Sequence, residues 1–323
     1  MSIEGLSRRK LFPVATAFGV GGLLGFHTAK AASYPSQTVN FIIPYGPGGS
    51  FDSYGREFAV LLQKYLPSHV NVEPINTPGA AGKEAIFQLL QDPADGYNIS
   101  LINIPGILMS KKAGNIDLAK LTWIANLGRD SYGLAVAKDG PVNNVADLQA
   151  LSAKRPLKFS STGAGSTDYF ATKVFAASLG LKVSLVSGYN DSPNSVVAVA
   201  RGDVDAVVHS LATLKQLEAS GLAKIIFVFQ EKSPIPGVED ATSVGKPDLG
   251  EIFQWRPIVG PPNLPPDVVS TLSTALVAAA KDPGTASWAA GLGTTLYPLD
   301  QAGTLAMIKT QSTLVKKWSS VLG

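Results

Sequence analysis

Val39-Asn40-Phe41-Ile42-Ile43-Pro44-Tyr45-Gly46-Pro47-Gly48-Gly49-Ser50-Phe51-Asp52 passes from an apolar strand pattern through a glycine- and proline-rich turn into a helical one. In that helix Tyr54, Phe58, Leu61, Leu62 and Tyr65 recur at helical spacing, and Pro67 ends the run. The last four residues of the stretch, Gly-Ser-x-Asp, return as Gly165-Ser166-Thr167-Asp168, after the strand-like Leu157 to Ser161 and before the helix-like Tyr169 to Leu179. A helix that starts where a strand stops has N–H groups without partners, and glycines let a ligand approach them closely. Two such turns predict two anion cradles, which would grip one small acidic ligand if they face each other. An ordinary strand-to-helix turn is the alternative reading of each.

Outward from these turns, apolar runs alternate with amphipathic ones. Strands are expected at 39–44, 70–74, 98–104, 132–137, 157–161, 182–187, 204–209 and 224–229, with helices at 80–91, 195–201, 211–220 and 266–281 between and beyond them. Gly180 and Gly221 are placed as helix C-caps. This tempo is that of an α/β protein with parallel strands and crossover helices. Proline and glycine crowd between Ser233 and Pro266. The pattern is read as two lobes, one made of 33–135 plus 255–323 and the other of 136–254, joined by two chain crossings that form a hinge and leave a cleft.

Composition narrows the function classes. The 323 residues are 45% apolar and 16% charged, which suits packed cores. The absence of cysteine excludes a disulfide framework, a thiolate metal site, a cysteine nucleophile and a lipid-anchored cysteine. Arg8-Arg9-Lys10 precede the 16-residue apolar run Leu11 to Phe26, too short for a spanning helix, and Ala29-Lys30-Ala31 offers small residues for cleavage, so residues 1–31 read as an export signal cut near Ala31. Ser7-Arg8-Arg9-Lys10-Leu11-Phe12 favours twin-arginine export, with a general secretory signal as the alternative. This leader holds four of the 27 basic and one of the 24 acidic side chains, leaving 23 of each in a neutral mature chain. No nucleic-acid surface or polybasic membrane patch is implied, and a periplasmic location is expected.

Asn76-Thr77-Pro78-Gly79-Ala80-Ala81-Gly82-Lys83 has Thr77 and Glu84 where a phosphate-binding loop needs glycine and a hydroxyl, and the Ser160–Asp168 turn lacks the last glycine of a dinucleotide fingerprint. Asp52 is expected to cap its helix, leaving its backbone to meet an anion. His209-Ser210 near Asp205 could imitate part of a hydrolase triad, but His209 is read as a cleft-lining or buried polar residue. Neither a cofactor nor a metal site is expected.

These motifs, in order, resemble the Bug or TctC-type solute-binding receptors of tripartite tricarboxylate transporters. The resemblance is carried by Tyr34-Pro35, Pro47 to Asp52, Pro78-Gly79-Ala80-Ala81-Gly82, Asp95-Gly96-Tyr97, Asp203-Val204-Asp205, Trp255 with Gly260-Pro261, and Lys317-Trp318. It implies a two-lobed periplasmic-binding-protein fold of the Venus-flytrap, type II kind. It also implies capture of an organic carboxylate by backbone N–H groups and bridging waters, and delivery by a monomer to inner-membrane permease subunits. The implied site residues are Tyr45, Gly46, Pro47, Gly48, Gly49, Ser50, Phe51 and Asp52 on the first turn. Ser161, Thr162, Gly163, Gly165, Ser166, Thr167, Asp168 and Tyr169 form the second, with Asn103, Tyr189, Asp205 and His209 beside them.

Two departures bear on the ligand. Tyr169, preceded by Asp168, stands where many members carry histidine, and Tyr189-Asn190-Asp191 stands where many carry Tyr-Lys-Gly. The changes favour a single carboxylate, an aromatic ring or an ammonium group over several carboxylates, unless Asp168 is an N-cap and Asp191 is solvated. A ligand-sensing partner of a membrane signalling protein, or a periplasmic hydrolase, are the competing functions.

Overall fold

The computed structural model describes residues 34–112, 116–189 and 192–322; the expected leader, Asn190 and Asp191 lie outside them. Among the described residues eleven strands form one curled mixed sheet. They are β1 (Val39–Ile43), β2 (Val72–Asn76), β3 (Asn98–Leu101), β4 (Thr122–Ala137), β5 (Leu157–Ser161), β6 (Val183–Ser187), β7 (Ala206–Ser210), β8 (Ala223–Val228), β9 (Glu239–Asp240), β10 (Phe253–Gly260) and β11 (Leu296–Leu299). The helices are α1 (Ser50–Tyr65), α2 (Lys83–Leu89), α3 (Val145–Lys154), α4 (Thr167–Leu179), α5 (Ser192–Ala200), α6 (Leu211–Ala219), α7 (Pro266–Ala280), α8 (Pro283–Leu292), α9 (Gln301–Lys317) and α10 (Ser319–Leu322).

β4 joins two halves of the sheet. Its residues Thr122 to Ser131 pair antiparallel with β10, beyond which lie β3, β1 and β2; Tyr132 to Ala137 pair with β7 and β8, and β7 leads to β5 and β6. Each half has a core on both faces. In β1, Phe41 and Ile43 pack with Tyr54, Phe58 and Leu272, whereas the intervening Ile42 packs with Ile86, Leu89 and Val259 on the other side. In the second half Leu134, Phe159 and Phe227 share a core with Phe175, while Ala135, Val207 and Val228 face Leu214. The two-residue strand period places successive side chains on opposite faces, and cover on both makes such strands read as continuous apolar runs.

β10, β11 and the first ten residues of β4 form strands where the sequence pattern shows none. Pro257 interrupts β10, and Asn126, Gly128, Arg129 and Asp130 interrupt β4, so neither alternation nor a pure apolar run marks them. The C-terminus adds a link between the halves beyond β4. Met307 and Ile308 of α9 pack on the first half, but Leu314, Val315, Trp318 and Leu322 pack into the core of the second, where Lys317 Nζ meets Asp248 at 2.6 Å.

Candidate ligand-binding site

The first cradle is open at its centre. Gly49 occupies the cap position of α1 with φ −88° and ψ 172°, and having no side chain it closes none of the helix's first N–H groups. Asp52 is therefore not the N-cap. It sits one turn in and reaches back past the cap to accept the Gly48 N–H at 3.0 Å, while Asn76 Nδ2 donates to its other oxygen at 2.9 Å. Burial pulls the Asp52 pKa up, but hydrogen bonds from Arg56, Asn76 and Gly48 outweigh it and hold it below the ordinary carboxylate value. Gly48 has φ +87°, and a Cβ at either Gly48 or Gly49 would meet nothing within 4 Å. Gly46 and Pro47 complete the loop, and Tyr45 lies over Phe51 with ring centroids 4.8 Å apart.

The second cradle solves the same problem differently. Ser166 caps α4, its Oγ accepting from the Tyr169 N–H at 3.3 Å and donating to the Gly163 carbonyl at 2.7 Å. Asp168 is thus no N-cap either. Only 2% exposed, it accepts from the Thr162 N–H at 2.8 Å and the Thr162 hydroxyl at 2.7 Å, and so fixes the loop. Ser161 Oγ accepts the Gly163 N–H at 3.1 Å. Gly165 crosses the loop with φ +105°, a conformation that favours glycine.

Asn103, at the end of β3, brings the cradles together: it accepts from Thr167 Oγ1 at 2.6 Å and donates to the Tyr45 hydroxyl at 3.0 Å. Burial pushes the Tyr45 hydroxyl up to about 12, so it stays protonated and can donate, here to the Ala81 carbonyl at 3.3 Å. Gly106 lies so near the second cradle that a Cβ there would overlap the Gly165 carbonyl oxygen. On the floor Tyr132 stacks on His209 with centroids 6.0 Å apart. His209 Nδ1 accepts the Ser210 N–H at 2.8 Å, which assigns the ring proton to Nε2. Burial lowers the His209 pKa against the opposite pull of Asp168 and Asp130, leaving a neutral donor.

Some expected members stand apart. Asp205 precedes β7 at the end remote from His209, roughly 13 Å away by strand rise. There it binds Arg155 Nη2 at 2.6 Å and accepts the Lys158 N–H at 2.8 Å. No triad forms: Ser210 Oγ lies 3.4 Å from His209 Nδ1, but that nitrogen accepts the Ser210 N–H at 2.8 Å, Oγ pairs with Thr213 Oγ1 at 2.8 Å, and Asp205 is held by Arg155. Arg155 first, and then the Lys158 N–H, hold the Asp205 pKa down against burial. The stabilisation from that depressed pKa is present above the unfolded carboxylate value and is lost as pH falls through the folded one. Arg155→Ala is expected to reduce this acid sensitivity, the Lys158 N–H remaining, while leaving ligand affinity within about twofold, as for uncoupled sites; a larger affinity loss in titration calorimetry would return Asp205 to the site. Tyr169 lies partly exposed in the first turn of α4, with Lys173 Nζ 5.8 Å from its ring centroid. Tyr189, after β6, packs partly buried against the core around Val207.

The largest omission of sequence reasoning is a buried charge cluster at the crossing. Alternation along β4 sends Asp130 and Tyr132 to one face and Arg129 to the other, where Phe253 and Tyr297 stack on its guanidinium at 4.4 and 4.3 Å. Arg256 of β10 is fully buried; its Nη2 donates to Asp130, to Ser50 Oγ at 3.1 Å and to Gln254 Oε1 at 3.2 Å. Phe51 and Tyr54 hold the guanidinium at 4.5 and 4.2 Å from their centroids. Asp130 also accepts from Thr294, whose hydroxyl pairs with that of Tyr54 at 2.8 Å. A charge inside the apolar run Trp255-Arg256-Pro257-Ile258 was the signal available.

Among the described residues no helix is long and apolar enough to cross a membrane, and no cluster of three or more histidine or acidic side chains could hold a metal ion. A UPF0065 protein of Bordetella pertussis is 25% identical over 268 residues, covering 81% of this chain and 82% of its own. BugT of the same organism is 24% identical over 253 residues, 76% of each chain. Among solved structures, Rpa4515 of R. palustris with adipate superposes with a TM-score of 0.80 at 22% identity, over 90% of this chain and 98% of that one. MatC from Rhodopseudomonas palustris with bound malate gives 0.79 at 18% identity, over 90% and 100%. The fold is that of the two-lobed periplasmic binding proteins, as expected. The model of the tripartite tricarboxylate transporter family receptors matches residues 55–322, and the chain belongs to that family of solute-binding receptors.

Proposed function

We propose that the protein captures a small organic acid bearing one carboxylate, with the carboxylate on the N–H groups of the first cradle and the rest of the ligand reaching the second. The observation that carries this reading is Asn103, which ties Tyr45 of one cradle to Thr167 of the other. Asp168 enters no ion pair among the described residues, so a second ligand carboxylate would meet uncompensated negative charge. A monocarboxylic, aromatic or amino-acid-like ligand suits that charge. Rpa4515 and MatC hold adipate and malate, both dicarboxylates, so they support an organic acid as ligand, and the restriction to one carboxylate rests on Asp168 of this chain alone.

In this reading residues 33–135 with 255–323, and residues 136–254, close on the ligand about the β4 and β10 crossings. The closed form is what a permease in the inner membrane recognises. The protein works as a periplasmic monomer, exported by the twin-arginine route and cleaved near Ala31. Thermal-shift screening of monocarboxylic, aromatic, amino and dicarboxylic acids should give a rise for at least one monoacid, since a ligand at 100 times its Kd adds about 2.7 kcal/mol to the folded state. Small-angle scattering with that acid at saturation should show a smaller radius than without it. No shift with any acid removes the carboxylate reading, and preference for dicarboxylates removes the finer one.

A further inference from the structure

Arg256 carries five N–H donors, and the hydrogen bonds formed by its guanidinium run through Nη2 alone. Nε and Nη1 are buried and without an acceptor. Such donors are normally satisfied in a folded protein, and an unpaired one deep in the interior calls for a partner that arrives from outside the chain. The group is well held to receive one: two rings clamp it, and Asp130 pins the Nη2 corner. It also touches Ser50, the first residue of α1, so it lies beside the uncapped N–H groups of the first cradle.

We infer that Arg256 is a direct ligand contact, donating from Nε or Nη1 to one carboxylate oxygen while the cradle N–H groups take the other. The assignment rests on the carboxylate reading above and adds to it a fixed cation that backbone dipoles do not supply. The groups that clamp it, Phe51, Tyr54, Ser50 and Asp130, belong to the first half, while Tyr132 and His209 of the second lie near enough to sense its charge. The guanidinium thus sits by the junction, where parting the halves would admit ligand and closing would leave its charge in a dry site. Asp130 and the ligand would share one cation. That sharing limits the site to a single carboxylate, in keeping with the uncompensated charge of Asp168.

The test compares benzoate with benzamide and hexanoate with hexanamide, neutral amides of the same shape. Wild type should prefer each acid that it binds over its amide. Arg256→Gln with Asp130→Asn removes both charges together, and is expected to cut the acid-over-amide ratio of dissociation constants at least tenfold. A purely structural arginine would lower the melting temperature and leave the ratio unchanged, which overturns the assignment. Should the double variant fail to fold, the arginine side-chain NMR spectrum of wild type decides: benzoate or hexanoate must move the Arg256 Nε–H resonance and the amide must not. An unmoved resonance in the presence of bound acid overturns the contact but leaves the receptor function standing. Wild type that binds neither acid overturns the contact, while the single-carboxylate reading then stands or falls on the wider acid screen above.

Discussion

Asp130→Ala is expected to cost about 3–5 kcal/mol of folding stability, the range for removing one partner of a buried ion pair. The size follows from what remains behind. Arg256 cannot reach water, its aromatic neighbours hold it in place, and Ser50 and Gln254 are neutral acceptors. Burial alone would lower the arginine pKa, and Asp130 reverses that shift. The mutation thus leaves a charge without its counter-ion inside a site that excludes solvent. Urea unfolding should show an earlier midpoint with an unchanged slope, and Asp130→Ala combined with Arg256→Met should recover most of the loss, because a buried pair is replaceable by apolar packing. A loss below about 1 kcal/mol would mean that the pair is hydrated.

Gly49→Val should weaken binding by about 2 kcal/mol or more, roughly thirtyfold, while the fold survives. The backbone at Gly49 is in the extended region, open to β-branched residues, and no atom lies within 4 Å of the new Cβ. Stability should fall by no more than about 1 kcal/mol, the cost of a β-branched residue at an N-cap. The larger cost falls on the ligand, since the valine methyls occupy the approach to the first N–H groups of α1. Gly48 would be a poorer probe, because its φ of +87° strains any side chain and mixes folding with binding. Titration calorimetry with the strongest monoacid of the screen decides it, and undiminished affinity in a native-like variant would move the carboxylate away from this loop.

The cradles were legible because glycine, proline and small hydroxyl residues constrain a turn locally. Their caps were not. Asp52 and Asp168 occupy the same place in Gly-Ser-x-Asp, yet one reaches back to Gly48 and the other holds Thr162, and only the loop path decides between these. Strands of five residues with both faces covered showed as apolar runs, whereas β4, which changes partners between Ser131 and Tyr132, needs polar side chains in its middle and so lost its pattern. Arg256 could be seen as a charge in an apolar run. Its partner, 126 positions away, could not, because antiparallel register between β4 and β10 is a property of the fold.

The C-terminal helix changes what kind of motion is available. Two neighbouring strands alone would let one half both bend and twist about the other. α9, anchored at Met307 on one side and at Val315 and Trp318 on the other, is a further tie between them. A body held at three separated points keeps fewer ways to move than one held along a line. Any relative movement of the halves would have to carry α9 with one of them and loosen its contacts with the other. The final residues of the chain, far in sequence from either glycine-rich turn, would then set what such a movement costs.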